Sequence, residues 1–368
     1  MERDTNTLYI IRFFAALVVV LFHYTPAGLQ QHITFLIKNG GEAVNLFFFI
    51  SGFVLTVSNA RFFSNKQSQF NKKDFYIKRV ARIYPLYILA LLLLAAFHYG
   101  IKAIDTPSVK YRLPFEVVGI QRWLYAGSFN YPGWSVSCEF FFYLFFPFIA
   151  QYLRASRQAF PRLVWLYYFA AVFATYMLSV SVKADLPSVE KKLVVALYLN
   201  PLFLISTFLF GVLAGKCFLE NSIAFFTRGR NNFIAGIASL AIIVLAKYYA
   251  PNGSALLKGG ILAPVYFVFI LAITSFTKKQ ARFVTGGACV FLGEISYCMY
   301  IVQYPVYVFY TRYIQQVTSF ASLFNYTIAL ICFSSLVHLA VEKPLRKLIT
   351  AYYLGSRKAE EIAAAHPL

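Results

Sequence analysis

The sequence predicts an all-α fold, a polytopic transmembrane helical bundle of about ten spans with both ends in the cytoplasm. Three observations carry this. Of 368 residues, 60% are apolar and only 13% are charged, whereas a soluble globular chain carries about 25% charged residues. The apolar residues gather in runs near the roughly 20 residues that cross a bilayer. The basic residues collect in short gaps between those runs.

The predicted spans are about 8–25, 44–60, 83–100, 135–152, 163–182, 193–215, 232–249, 259–276, 288–310 and 322–341. The weakest is 44–60, which is short and holds Ser51, Gly52 and Ser58. If the N-terminus is cytoplasmic, the inner segments hold 22 Lys and Arg and the outer gaps hold 10. That excess predicts N-in and C-in. The longest outer gap, 101–134, carries Pro107, Pro114, Trp123, Tyr125, Tyr131 and Pro132, which suits a loop over the mouth of the bundle. The bundle is expected over residues 1–347, with a cytoplasmic tail at 348–368, frayed from 355 onwards. No cleaved signal, internal repeat or attached soluble domain is expected.

The net charge of +20 would suggest nucleic acid in a soluble protein. Here it reads as basic loops against membrane lipid, and no nucleic-acid partner is expected. Cys138, Cys217, Cys289, Cys298 and Cys332 lie in or at the ends of apolar segments. They read as packing residues, with neither disulfide nor metal site expected.

Ionisable groups inside a bilayer are costly and each needs a reason. Arg12 and His23 are 11 residues apart in the first span. They therefore share a helix face, about 16 Å apart along the axis. Singly, they read equally as a snorkelling arginine and a packing histidine. Together they look more like a site. Glu139 enters the fourth span at a depth similar to that of His23. A carboxylate beside a histidine orients the ring for general-base chemistry on a hydroxyl. The bland alternative is a structural ion pair. Arg79 and Arg82, three apart in KRVARIYPLY, face one way and could grip phosphates. Spacing alone reads first as an anchor on anionic lipid. Ser51 and Gly52 permit close helix approach or a break lining a cavity. Ser296, Tyr300 and Gln303 recur at helical spacing in the ninth span and could line that cavity too.

These motifs, in this order, resemble the acyltransferase-3 family of bacterial integral membrane acyltransferases. The residues that carry the resemblance are RFFAALVVVLFHY, NLFFFISGFVL, KRVARIYPLY, GWSVSCEFFFYLFFP, GEISYCMYIVQYP and VEKPLRK, over about residues 5–347. The resemblance implies ten core helices and transfer of an acetyl or similar acyl group. The donor would be cytoplasmic acyl-coenzyme A, as co-substrate and without a metal. The acceptor would be a hydroxyl of a surface, secreted or lipid-linked glycan at the outer face of the cell inner membrane. It implies His23 and Glu139 as catalytic residues. It implies Arg12, Arg79 and Arg82 on the coenzyme. Ser51, Trp134, Ser135, Tyr143, Tyr297 and Gln303 are the substrate-cavity candidates, with Ser135, Tyr143 and Tyr297 as weak candidates for an oxyanion stabiliser. Many members carry a histidine where this chain has Gln303, and a glutamine cannot shuttle a proton at neutral pH. Many also carry an extra periplasmic esterase-like domain, for which no room is expected here. The buried Arg, His and Glu also describe a proton-coupled transporter of a lipid-linked sugar or related anion. The absence of a two-half repeat and the arginine pair at one mouth argue against it. A catalytically silent scaffold is the third reading.

Overall fold

The computed structural model of the protein describes residues 5–65, 67–99, 107–124, 127–181, 197, 199–220, 222, 229–276, 278–281 and 284–365. The described residues are helical with no strand. The helices that build the bundle are α1 Thr7–Tyr24, α2 Ala43–Ser58, α3 Lys72–Leu94, α4 Trp134–Ala155 and α5 Ala159–Ser181. They continue as α6 Pro201–Leu219, α7 Gly229–Tyr249, α8 Ala263–Thr274, α9 Gly287–Tyr313 and α10 Phe320–Val337. A final helix, α11 Lys343–Ala365, follows a π-helical turn at His338–Glu342.

Among the described residues, eight helical stretches are long and apolar enough to cross a membrane, and the chain is a multi-pass membrane protein. Every predicted span falls on one of α1–α10. The two outside the eight have clear reasons. At 1.5 Å per residue the 12 residues of α8 rise only about 18 Å. The long α9 carries Glu294, Ser296, Tyr300 and Gln303 among its apolar residues. The lipid-facing surface is seen best on α5 and α7, where Leu166, Phe169, Phe173, Ile234, Ile237 and Leu240 are exposed. Such a continuous apolar face has no place in water.

Four expectations are corrected. The third span begins at Lys72 and not near 83, because Asn71 caps the helix by accepting from the Asp74 N–H at 3.0 Å. A polar cap and first turn escape any hydropathy criterion. Arg79 and Arg82 therefore lie well inside α3, and Pro85 is interior to it. The sixth span starts at Pro201, capped by Asn200 accepting from the Leu202 N–H at 3.0 Å; residues 193–196 lie outside the described residues. The expected loop at 101–134 contains a helix at Pro107–Val118, a short helix at Gln121–Leu124 and a turn at Tyr131–Gly133. The tail expected to fray from 355 is helical to Ala365.

Two glycine contacts set the core. α2 packs on α6 through Gly52 and Gly211. A Cβ on Gly52 would strike the carbonyl of Phe208, and one on Gly211 the carbonyl of Phe49. α1 packs on α9 at Gly293, where a Cβ would strike the backbone of Tyr9. Both are close backbone approaches that only glycine allows. Gly52 thus serves close packing within an unbroken α2, while Ser51 faces a cavity.

Candidate active site

A cavity of about 260 Å³ runs between α1, α2, α3, α4 and α9. Thr5, Arg346 and Tyr300 are among the residues that line it. Arg12, Arg79, Arg82, Glu139, Ser51, Tyr143, Tyr297 and Ser135 all line it. Eight of the predicted site residues, drawn from five helices, therefore meet in one space.

Glu139 is the hub. Tyr143 Oη donates to Glu139 Oε2 at 3.2 Å, and Ser51 Oγ lies 3.0 Å from the same phenol oxygen. A phenol has one proton, so Ser51 donates to Tyr143 and Tyr143 to Glu139. Arg12, Arg79 and Arg82 bear electrostatically on the same carboxylate. The buried Nε of Arg79 has no hydrogen-bond partner in the protein, and the guanidinium lies 5.8 Å from the centre of the Phe75 ring. A buried guanidinium donor left over in this way suits an anionic ligand group. Further along the cavity, His338 Nδ1 lies 2.7 Å from Glu342 Oε2, and His338 Nε2 3.6 Å from Glu294 Oε2. His338 and Arg346 escaped the sequence reading. The four-residue spacing of His338 and Glu342, one helical turn, was the available signal.

His23 does not line this cavity. Its Nδ1 lies 3.1 Å from Gln303 Oε1. The Tyr131 ring meets its imidazole edge-on, with centroids 4.7 Å apart and planes at 87°. The expected partnership of His23 with Glu139 is therefore corrected. Glu139 turns to Tyr143 and the arginines, and Gln303 takes the histidine. Tyr300 Oη bonds Ser135 Oγ at 2.9 Å and the Pro132 carbonyl at 3.1 Å, with the Phe47 ring 5.8 Å from the Tyr300 ring. Trp134 and Gln303, expected in the cavity, are also outside its lining. Trp134 packs edge-on against Phe48 and beneath the guanidinium of Arg122, 5.5 Å from its ring centre.

The three candidate oxyanion donors already have acceptors. Ser135 donates to the Pro132 carbonyl at 3.1 Å, Tyr143 to Glu139, and Tyr297 to the Ile83 carbonyl at 3.2 Å. Any of them would have to exchange that bond to serve an oxyanion.

The segment before α4 is tied down tightly over His23. Tyr87 Oη donates to the Glu116 carbonyl at 2.6 Å. Gln121 Nε2 reaches Tyr87 Oη at 3.0 Å, Ser128 Oγ at 3.1 Å and the Gly133 carbonyl at 3.0 Å. Asn130 Nδ2 donates to the Ile301 carbonyl at 2.8 Å. That carbonyl is open because residue 305, four positions on, is a proline inside α9 and has no N–H to give it. The result is a fixed seat for Tyr131 against the imidazole.

The chain aligns over residues 6–339 with a family described as "Acyltransferase domain". It is similar to "Acyltransferase MdmB" of Streptomyces mycarofaciens, 34% identical over 42% of this chain and 41% of that protein. It is similar to "Putative acetyltransferase ORF330" of Acidianus two-tailed virus, 26% identical over 79% of this chain and 80% of that one. It also resembles "Putative O-acetyltransferase SACOL0978" of Staphylococcus aureus (strain COL), 22% identical over 92% of this chain. The chain spans 41% of the first relative and 56% of the third. No solved structure matches. An alignment over nearly the whole chain, on a membrane helical bundle that gathers arginines and a glutamate in one cavity, places this protein in the acyltransferase family.

Proposed function

We propose that the protein is an O-acyltransferase that moves an acyl group, acetyl in the simplest case, from cytoplasmic acyl-coenzyme A to a hydroxyl of a surface, secreted or lipid-linked glycan. Ten spans, N-in and C-in, put the Arg12 end of α1 at the cytoplasm and His23 at the outer face of the cell membrane, the inner one in a two-membrane cell. Residues 1–347 form the transferase domain and 348–368 a cytoplasmic extension. The observation that carries this reading is the convergence of Arg12, Arg79 and Arg82 in one cavity, with an unpartnered buried donor on Arg79. Guanidinium groups suit phosphate by forked, charge-assisted hydrogen bonds. The acetyltransferase names of two relatives support the acyl class.

In this reading the coenzyme's phosphates meet Arg79, Arg82 and Arg12, and its thioester arm extends towards His23, about 16 Å along α1 from Arg12. His23 is outside the lining of the cavity, so the arm must pass beyond that lining to reach the imidazole. His23 takes the acceptor's hydroxyl proton as the oxygen adds to the thioester carbonyl carbon. Collapse of the adduct breaks the C–S bond, and the imidazolium returns the proton to sulfur. The products are an O-acyl ester and the free coenzyme thiol. An acyl-histidine on the same ring is the two-step form of this transfer.

The test is thermal stability of the detergent-purified protein with and without acetyl-coenzyme A, for the native chain and for Arg79→Ala/Arg82→Ala. A ligand at about a hundred times its Kd stabilises the native state by roughly 2.7 kcal/mol. The shift is expected in the native chain and lost in the double variant. No shift with acetyl-, succinyl- and longer acyl-coenzymes at saturation, and no thiol release, would overturn the proposal in favour of a transporter.

A further inference from the structure

Gln303 is fully buried on α9, and its two hydrogen bonds have a definite polarity. Its Nε2 donates to the Tyr300 carbonyl at 2.7 Å. A carbonyl only accepts, so the amide nitrogen must face it and Oε1 must face outwards. Oε1 in turn lies 3.1 Å from His23 Nδ1. An amide oxygen also only accepts, so the proton of a neutral His23 sits on Nδ1 and the lone pair on Nε2. The turn that carries this amide is itself held, because Tyr326 Oη donates to the Gln303 carbonyl at 2.9 Å.

We infer that Gln303 is the positioning residue of the catalytic histidine: it selects the Nδ1-protonated tautomer and leaves Nε2 as the base or nucleophile. The inference rests on the reading of His23 given above. It also says what kind of base this is. A carboxylate in the same place would stabilise the imidazolium, whereas an amide orients the ring without adding charge. Among the described residues, the groups that face the imidazole are Phe22, Tyr24, Tyr131 and Gln303. The two phenols titrate near 10 in water and carry no charge at neutral pH. His23 is thus paired through Nδ1 with an uncharged partner, Gln303, and Nε2 is the ring nitrogen left to meet the acceptor.

The experiment compares acyl transfer by the full-length protein with that of His23→Ala, Gln303→Leu and Gln303→Glu, over a range of pH. His23→Ala is expected to abolish turnover. Gln303→Leu removes the acceptor and should lower kcat about 10²-fold, the scale of acid–base catalysis, with the KM for acetyl-coenzyme A within about twofold, since binding is handled elsewhere. Gln303→Glu should restore part of that rate but move the acid limb of the kcat profile up by about one pH unit or more, because the new carboxylate favours the imidazolium. A moved limb shows that position 303 touches the catalytic imidazole, and the loss of kcat at unchanged KM in Gln303→Leu is what a merely structural glutamine would not give. If His23→Ala is inactive while Gln303→Leu keeps native kcat, the inference falls and the function stands. If Gln303→Leu does not fold, an unmoved acid limb in Gln303→Glu overturns it. Full activity in His23→Ala would overturn the functional reading itself.

Discussion

Glu116 makes the segment over His23 sensitive to pH in a calculable way. Its side chain is 2% exposed. Its carboxylate accepts from the Ser128 hydroxyl and from the N–H groups of Phe129 and Asn130, while Oε1 has no partner. Burial is the dominant influence and pushes its pKa up from the ordinary 4.5 to about 7, against the pull of those hydrogen bonds. A raised carboxylate pKa means that the folded segment binds a proton the unfolded one has lost. The stability this confers is full below pH 4.5 and is lost as pH rises through 7. The difference of 2.5 units corresponds to about 3 kcal/mol as an upper bound. Glu116→Gln has the shape of the protonated acid and cannot ionise. Hydrogen exchange at residues 127–133, with thermal denaturation alongside, should show the variant within about 1 kcal/mol of the native protein at pH 5. At pH 8.5 it should lead by up to about 3 kcal/mol. A gap that does not grow with pH, or a variant less protected at pH 8.5, would refute the argument.

Other outcomes follow from the packing and the site. Gly211→Ala forces a methyl group into the Phe49 carbonyl and should cost about 1–3 kcal/mol by overpacking, seen as a lower Tm. Gly28→Ala, with open space around it, is the neutral control. Glu139→Gln should leave the acid limb of the kcat profile in place, because His23 is bonded to Gln303 and not to Glu139; a moved limb would restore the carboxylate–histidine pairing. Tyr143→Phe removes the hydroxyl between Ser51 and Glu139 and should cost about 1–3 kcal/mol for the orphaned carboxylate, read as a Tm shift that Ser51→Ala alone does not match.

The helices were legible wherever hydrophobicity alone defines them. The ten apolar runs all became helices, and even the Ser-Gly interruption at 51–52 stayed helical. What hid were elements that polar residues start or stabilise. The first turns of α3 depend on Asn71 and Asp74, and the helix at 107–118 is bound down by Tyr87, Gln121 and Glu116. Arg12 and Glu139 were legible because each lies inside an apolar run, in the wrong solvent, a property that one residue reveals. Arg79 and Arg82, ahead of the predicted third span, read by spacing first as a lipid anchor, and it was the family resemblance that tied them to the coenzyme. The pairing of His23 with Gln303 was not legible. It joins residues 280 apart and depends on how far α1 slides along α9, which Gly293 and Tyr9 decide by contact. Depth counted along separate spans could not tell Glu139 from Gln303 as the partner.

Pro305 has a consequence for how this machinery moves. The Ile301 carbonyl that it leaves open is taken by Asn130, one residue before the Tyr131 that rests on the imidazole. Tyr300 and Gln303 lie on the same stretch of α9. The edge-on ring of Tyr131 and the amide of Gln303, both against His23, are therefore mounted on a common chassis. A displacement of α9 carries both together, so that His23 can be tilted or released as a whole without being left half-held.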